Sequence, residues 1–139
     1  MASIIVDDGL TRMLNLLINN DVLDDLYLHL YDAAHTPAVT DDETFYYANE
    51  VDVMTGYAPV LLNPTGWFVN VTGGVISFMY PPIDFVFTSG PFTVYGFFIT
   101  VGSGGSLVFA GDTATPQAVD AMGSPPVTVS VQLQNKNCP

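Results

Sequence analysis

The chain has 139 residues, the size of one domain, and it is 49% hydrophobic but only 12% charged. Its net charge at pH 7 is −12, and Arg12 and Lys136 are its only Lys or Arg residues. Because nucleic acids and anionic membranes both attract Lys and Arg, this balance argues against either as a partner. A basic protein surface, or bound cations, is a better match for the charge.

Neither disulfides nor targeting segments are predicted. Cys138 is the only cysteine, so no bridge can form within the chain, and the fold does not depend on an oxidising compartment. The first six residues lack the basic start and the long apolar core of a signal peptide. No run approaches the roughly 20 apolar residues of a membrane span.

Residues 1–21 are predicted to form an arm and one helix. Residues 1–6 are a short apolar lead that suits an edge strand or an arm. In residues 7–20, apolar side chains recur at the i, i+3, i+4 and i+7 spacing of one helix face, and Asp7 or Asp8 can cap the first turn. The residues of this face are Leu10, Met13, Leu14 and Leu17.

Residues 22–134 are predicted to form eight or nine short strands separated by turns. Alternating apolar and polar residues predict strands that end at Tyr31 and that span residues 127–133. Residues 44–54 are also predicted as a strand, with two valines, Val51 and Val53, on one face. Gly73-Gly74 predicts a tight hairpin, and residues 113–125 are predicted to form a loop.

The central strand is predicted at residues 93–101, TVYGFFITV, which are rich in β-branched and aromatic residues and carry no charge. Apolar groups on both sides predict that both faces are covered, partly by another subunit. A glycine-rich turn, residues 102–105, then reverses the chain into the next strand.

These elements together predict the fold class. There is no alternation of strands and helices of the kind that builds parallel sheets. The pattern predicts a mainly β domain over residues 22–134, an antiparallel sandwich or barrel, and of these we predict a sandwich of jelly-roll type. One N-terminal helix precedes it, and residues 135–139 form a tail.

The acidic residues are concentrated in the first part of the chain. Residues 1–53 hold 11 of the 14, and the others are Asp84, Asp112 and Asp120. Since an average globular protein is about a quarter charged, residues 54–135 have too few charges for an ordinary surface. Their composition favours packed contacts between subunits.

The histidines and the acidic loop are candidates for metal binding, but their spacing argues against it. His29 and His35 match no metal-ligand pattern, and they are predicted to be a half-exposed strand residue and a solvated loop residue. Asp41-Asp42-Glu43, with Asp32 on the same loop, offers oxygen ligands for Ca²⁺ but lacks the EF-hand pattern. A solvated acidic loop is the simpler interpretation.

Catalytic motifs are absent from the sequence. Glu50 and Asp52 share one face of the predicted strand, an arrangement common on protein surfaces. There is neither a nucleophile elbow nor a phosphate-binding loop. We therefore predict no catalytic, cofactor-binding or metal-binding residue, and no enzyme activity.

Aromatic residues in strands are typical of core and interface anchors, and less often of a carbohydrate platform. Together with the apolar helix face, they supply the predicted interface residues. These are Leu10, Met13, Leu17, Trp67, Phe68, Tyr95 and Phe97.

The ordered series LYLHLYD, GYAPVLLN before Trp67, PPIDFVFTSGP, VYGFFIT, LVFAGD and a final VTVSVQL resembles small β-rich virion structural proteins of tailed bacteriophages. The resemblance covers most of residues 22–134 and includes no catalytic motif. It implies a capsid decoration, or cement, protein that binds the outer capsid and bridges neighbouring major capsid subunits. Such a protein is made in the host cytoplasm, works as a homo-oligomer, with a trimer favoured, and ends on the virion surface.

A different virion part is the alternative. The chain then belongs to the tail or neck, and one form of this alternative is a receptor-recognition module that holds carbohydrate on its aromatic residues. An enzyme on a β-sandwich, such as a lyase or hydrolase, is the contrasting class.

Overall fold

The structure is a computed structural model that describes residues 2–5, 25–73 and 75–134. It confirms the predicted mainly β fold, because nearly all regular structure in these ranges is antiparallel sheet. The strands are β1 (Ala2–Ile5), β2 (Leu26–Tyr31), β3 (Val60–Leu62), β4 (Phe68–Thr72), β5 (Val75–Met79), β6 (Ile83–Phe85), β7 (Phe92–Val101), β8 (Leu107–Val119), β9 (Val127–Val129) and β10 (Gln132–Gln134).

Helical structure is short in the described ranges. One α-helix, α1 (Glu43–Ala48), and two 3-10 turns, Val53–Thr55 and Pro64–Gly66, are present there. No described helix is long and apolar enough to cross a membrane. The helix predicted within residues 7–20 and the tail at residues 135–139 lie outside the described residues.

The strands form three antiparallel groups. A five-stranded sheet has the order β1-β8-β7-β2-β3, a three-stranded sheet has the order β10-β5-β4, and β6 pairs with β9. Because β1 pairs with β8, from Ala2 opposite Asp112 to Ile5 opposite Phe109, the first residues belong to the main sheet. The predicted alternative of an edge strand at residues 1–6 is therefore confirmed.

Strand β7 has its two faces in two different hydrophobic clusters. Phe97 is 1% exposed and lies in the larger cluster, which also contains Phe85 and Val127 from the β6–β9 pair. Phe98 is 0% exposed and lies in a second cluster with Tyr46 of α1. Both faces are covered, as predicted, but the cover over Phe98 comes from the same chain and not from another subunit.

The prediction of a strand at residues 44–54 is wrong, because the chain forms α1 and a 3-10 turn there. The Asp42 side chain accepts a hydrogen bond from the Thr44 amide and caps α1. The aromatic residues of α1, which favour strands in isolation, gain more by packing against Tyr31 and Phe98. Consequently Val51 is buried while Val53 is exposed, so the two valines do not share one face.

Two boundaries near the C-terminus also differ from prediction. Strand β8 continues through most of the predicted loop at residues 113–125, because Gln117 to Val119 pair again with β7. The predicted single strand at residues 127–133 is divided: β9 pairs with β6, and β10 pairs with β5. The predicted inward positions Val127, Val129 and Val131 are all buried, so the alternation itself is confirmed.

Two predicted reversals are confirmed. Strands β4 and β5 pair directly from Thr72 opposite Val75, as expected for a hairpin. Residues 102–106 turn β7 into β8, and Gly102 adopts a positive φ of 68°. Gly96 in β7 is required by close packing and not by a turn. A Cβ at this position would overlap the Gly111 carbonyl and the Tyr31 hydroxyl.

We predict that Phe97→Ala and Phe98→Ala each lower the free energy of unfolding by about 3 to 5 kcal/mol, since each removes a fully buried ring. Urea denaturation measures the change. Phe68→Ala, at an edge-strand position 48% exposed, is the matched control, with an expected loss below about 1.5 kcal/mol. A loss below about 1 kcal/mol for Phe97→Ala or Phe98→Ala would contradict the burial described above.

Candidate functional site

His29 lies in a closed polar network between β2 and β7. Its Nδ1 is 2.7 Å from Glu50 Oε1, and its Nε2 is 2.8 Å from Thr100 Oγ1. The ring stacks on Phe98 with 4.5 Å between centroids and is 0% exposed. The prediction of a half-exposed histidine is therefore wrong, because α1 and the segment after it close over this face.

The network continues from Glu50 to the backbone. The Tyr57 hydroxyl donates to Glu50 Oε1 at 2.8 Å and accepts a hydrogen bond from the Leu30 amide. Burial, together with the nearby Glu50 charge, raises the pKa of Tyr57 well above its ordinary value. A carboxylate, an imidazole and a hydroxyl thus meet in an order that resembles a catalytic triad. His29 and Thr100 are both fully buried, so their hydrogen bonds contribute to the stability of the fold.

A second network fixes the acidic loop before α1. Asp41 Oδ2 accepts hydrogen bonds from the Ala38 amide and the Tyr46 hydroxyl, and His35 Nε2 lies 2.8 Å from it. Burial acts to raise the pKa of Asp41, but these hydrogen bonds and the neighbouring His35 outweigh it and hold the pKa below its ordinary value. His35 is thus a partly buried partner of Asp41, where a solvated loop residue was predicted.

Two carboxylates of the acidic loop accept hydrogen bonds from the protein's own backbone. Asp41 holds the loop, and Asp42 caps α1. Among the described residues, no group of three or more His, Cys, Asp or Glu side chains is arranged to hold a metal ion. The structure thus gives Asp41 and Asp42 structural roles.

A groove lies beside Tyr95 where β8 bulges. Val94 pairs with Gln117 and Gly96 pairs with Asp112, so Tyr95 stands opposite four residues, 113–116. The cavity measures about 480 Å³ and has polar and apolar walls. It is lined by Ala34, His35, Thr36, Tyr95, Asp112, Thr113 and Pro116.

The predicted interface residues are separated in the structure. Leu10, Met13 and Leu17 lie outside the described residues. Trp67 is half-buried and meets Tyr80 edge to face at 5.2 Å, whereas neighbouring Phe68 is exposed at the edge strand β4.

The last two predicted interface residues lie on β7. Tyr95 is half-buried beside the groove. Phe97 is in the core and offers almost no surface to a partner. Trp67 packs against the cluster that contains Phe97, so the structure joins these two residues in one core and not on a common surface.

Three turns that the sequence analysis did not select meet in one place. Residues 53–56 contact residues 86–89 through the Thr88 amide, which donates to the Thr55 carbonyl at 2.7 Å. The Ser89 hydroxyl donates to the Met54 carbonyl at 3.2 Å, and a Cβ on Gly123 would lie 2.9 Å from the Ser89 amide nitrogen. Residues 53–56, 86–89 and 120–124 therefore form one surface, called here the three-turn surface.

The three-turn surface displays apolar side chains. Met54 is 83% exposed and Met122 is 81% exposed, and Val53 and Val86 are also largely exposed. Their exposure follows from local turn chemistry, since Asp52 caps the first turn and Asp120 the third. Only the contacts between distant segments reveal this surface, so sequence spacing could not predict it.

No protein-family model and no curated protein matches the chain.

We predict that His29→Ala lowers the free energy of unfolding by about 2 to 4 kcal/mol, because it removes a fully buried ring together with its hydrogen bonds to Glu50 and Thr100. His35→Ala makes the same change at a partly exposed histidine. Urea denaturation should show that it lowers the free energy of unfolding by about 1 kcal/mol. Equal losses at the two positions would contradict the closed network.

Asp41→Asn is expected to lower the free energy of unfolding by about 1 to 2 kcal/mol at neutral pH, because charged acceptors bind donors more strongly. In the wild type, folding lowers the pKa of Asp41. The stability that its carboxylate contributes is therefore fully present at pH values above the ordinary pKa of 3.8. That contribution is lost as the pH falls through the lower folded value.

Urea denaturation at a series of pH values measures this effect. The difference between wild type and Asp41→Asn should shrink as the pH falls from about 4 to about 2. A difference that stays the same or grows in this acidic range would refute the role given to Asp41.

Proposed function

We propose that this protein is a virion structural protein of a tailed bacteriophage that decorates the capsid. It binds the outer capsid surface without covalent bonds and bridges neighbouring major capsid subunits. The proposal gives it a place on the virion surface after synthesis in the host cytoplasm. It acts by binding and not by catalysis.

The observation that carries this proposal is the three-turn surface, which keeps four large apolar side chains in solvent. Exposed apolar patches that the fold does not need are typical of protein interfaces. By contrast, three residues of types common in catalysis form hydrogen bonds with one another inside the fold. They are His29, Glu50 and Thr100. The contrast supports a protein that works through its surface.

A jelly-roll type of sandwich is the finer fold that we propose. It is supported by the larger hydrophobic cluster, which joins residues of the five-stranded sheet to residues of the β6–β9 pair. Two layers that share one core are the basis of a β-sandwich. The predicted helix at residues 7–20 is part of this proposal as an N-terminal arm.

Self-association into a homo-oligomer, with a trimer favoured, is part of the same proposal. Strand β4 lies at the edge of the three-stranded sheet, and Phe68 is exposed there. An edge strand with an exposed aromatic residue is suited to contacts between copies. The net charge of −12 makes nucleic acid and anionic membranes poor partners.

A tail or neck component is the second candidate, as a receptor-recognition module that binds carbohydrate. The groove beside Tyr95 favours it, because a tyrosine ring next to His35 and Asp112 offers both stacking and hydrogen bonds to a sugar. Trp67 is less suited to this role, since its ring packs against Tyr80 and the larger core cluster.

Co-sedimentation with empty capsids of the cognate major capsid protein tests the first candidate. We expect the protein to pellet with capsids and to stay in solution without them, up to a fixed ratio per capsid. Failure to pellet with capsids would refute decoration and favour the tail or neck. Light scattering should give a multiple of the chain mass of 14.9 kDa, and a strict monomer at high concentration would count against the proposal.

Glycan binding separates the two candidates. If the groove holds a sugar, Tyr95→Ala should abolish binding on a glycan array while Trp67→Ala retains it. Retained binding in Tyr95→Ala would exclude the groove as the site, and loss in Trp67→Ala would assign it to Trp67 instead. A wild-type protein that binds no glycan would remove the receptor-recognition role.

A further inference from the structure

The three-turn surface is rigid as well as apolar. In the first turn, Asp52 Oδ1 accepts a hydrogen bond from the Met54 amide at 2.9 Å, and Gly56 closes the turn with a φ of 84°. In the third turn, Asp120 Oδ1 accepts hydrogen bonds from the amides of Met122 and Ser124 at 2.9 and 3.0 Å. Both methionines therefore stand on turns whose backbone is already fixed, which lowers the entropy cost of binding.

Three carboxylates lie close in the chain to the exposed apolar residues. Asp52 and Asp120 precede the exposed methionines by two residues, and Asp84, itself exposed, precedes Val86 by two. Asp84 also accepts a hydrogen bond from Thr128 Oγ1. The surface thus combines apolar side chains with three acids next to them in sequence.

The charge distribution decides which partner fits. The described part of the chain contains neither Lys nor Arg, because Arg12 and Lys136 both lie outside it. Two copies that met through this surface would bring six carboxylates together with no described Lys or Arg to neutralise them. Like charges that face each other across an interface are destabilising. A second copy of the chain is therefore disfavoured here.

We propose that the three-turn surface docks onto a partner protein whose matching surface has an apolar centre ringed by Lys or Arg. The methionines fill the centre, where their flexible side chains adapt to the partner. The acids pair with the basic ring and fix the orientation. This inference rests on the proposed function in naming the major capsid protein as the partner, and self-association then uses another surface.

Capsid binding by matched variants tests the inference. Met54→Asp combined with Met122→Asp should weaken binding to empty capsids by about tenfold or more, because both anchors are lost and charge is added. Val39→Asp is the control, since it places an acid at an exposed apolar residue of a different loop. It should change binding by less than about threefold. Circular dichroism should show all these variants folded.

The three acids are tested separately by replacing Asp52, Asp84 and Asp120 with asparagine, whose side-chain oxygen can keep the hydrogen bonds of the turns. Binding should weaken, and its dependence on salt concentration should become flatter than that of the wild type. An unchanged salt dependence would refute the basic ring of the partner.

Each outcome separates this inference from the proposed function. If the wild type binds capsids and the double methionine variant binds equally well, decoration stands and the docking surface is refuted. If the double variant instead changes the mass of the free protein in light scattering, the surface joins copies of the chain and the inference is also refuted.

If the wild type does not bind capsids, decoration fails and the inference is tested with a synthetic amphipathic peptide of Leu and Lys. With ¹³C-methyl methionine, the signals of Met54 and Met122 should shift while that of Met79 stays in place. No shift, or an equal shift at Met79, would refute the docking surface. A peptide with Glu in place of Lys is the charge control, and it should leave both signals unchanged.

Discussion

The fold depends on the burial of two neighbouring rings on opposite faces of β7. Phe97 anchors the larger cluster and Phe98 the second, so β7 requires cover on both sides. The five-stranded sheet supplies its neighbours through β2 and β8, while α1 covers the face of Phe98. This requirement explains why the strand is free of charge, and why the chain places a helix where aromatic residues alone would favour another strand.

The same face that α1 covers contains His29, which the sequence analysis predicted to be a half-exposed strand residue. His29 stacks on Phe98, and its ring nitrogens are engaged by Glu50 and Thr100. A buried polar network of this kind stabilises only when its members are satisfied. Its groups come from segments up to 71 residues apart in the chain, so the network ties distant parts of the fold together.

Local patterns predicted the strands well because their alternation and turn glycines act over a few residues. Strand β2, the hairpin between β4 and β5, and the buried valines near the C-terminus all follow from them. The helix was missed because the Asp42 cap and packing against the sheet override the strand propensity of residues 44–47. The three-turn surface was missed because Ser89 links turns that lie far apart in sequence.

The position of the glutamates gives α1 a further property. The chain has only two, Glu43 and Glu50, and they bracket the helix that covers Phe98. A glutamate-specific protease can therefore cut only where the helix begins and just after it ends, and Glu50 is held by His29 and Tyr57. Cleavage requires local opening, so the rate of cutting at these two bonds reports how often α1 detaches from the sheet. Trypsin, by contrast, has no site between Arg12 and Lys136.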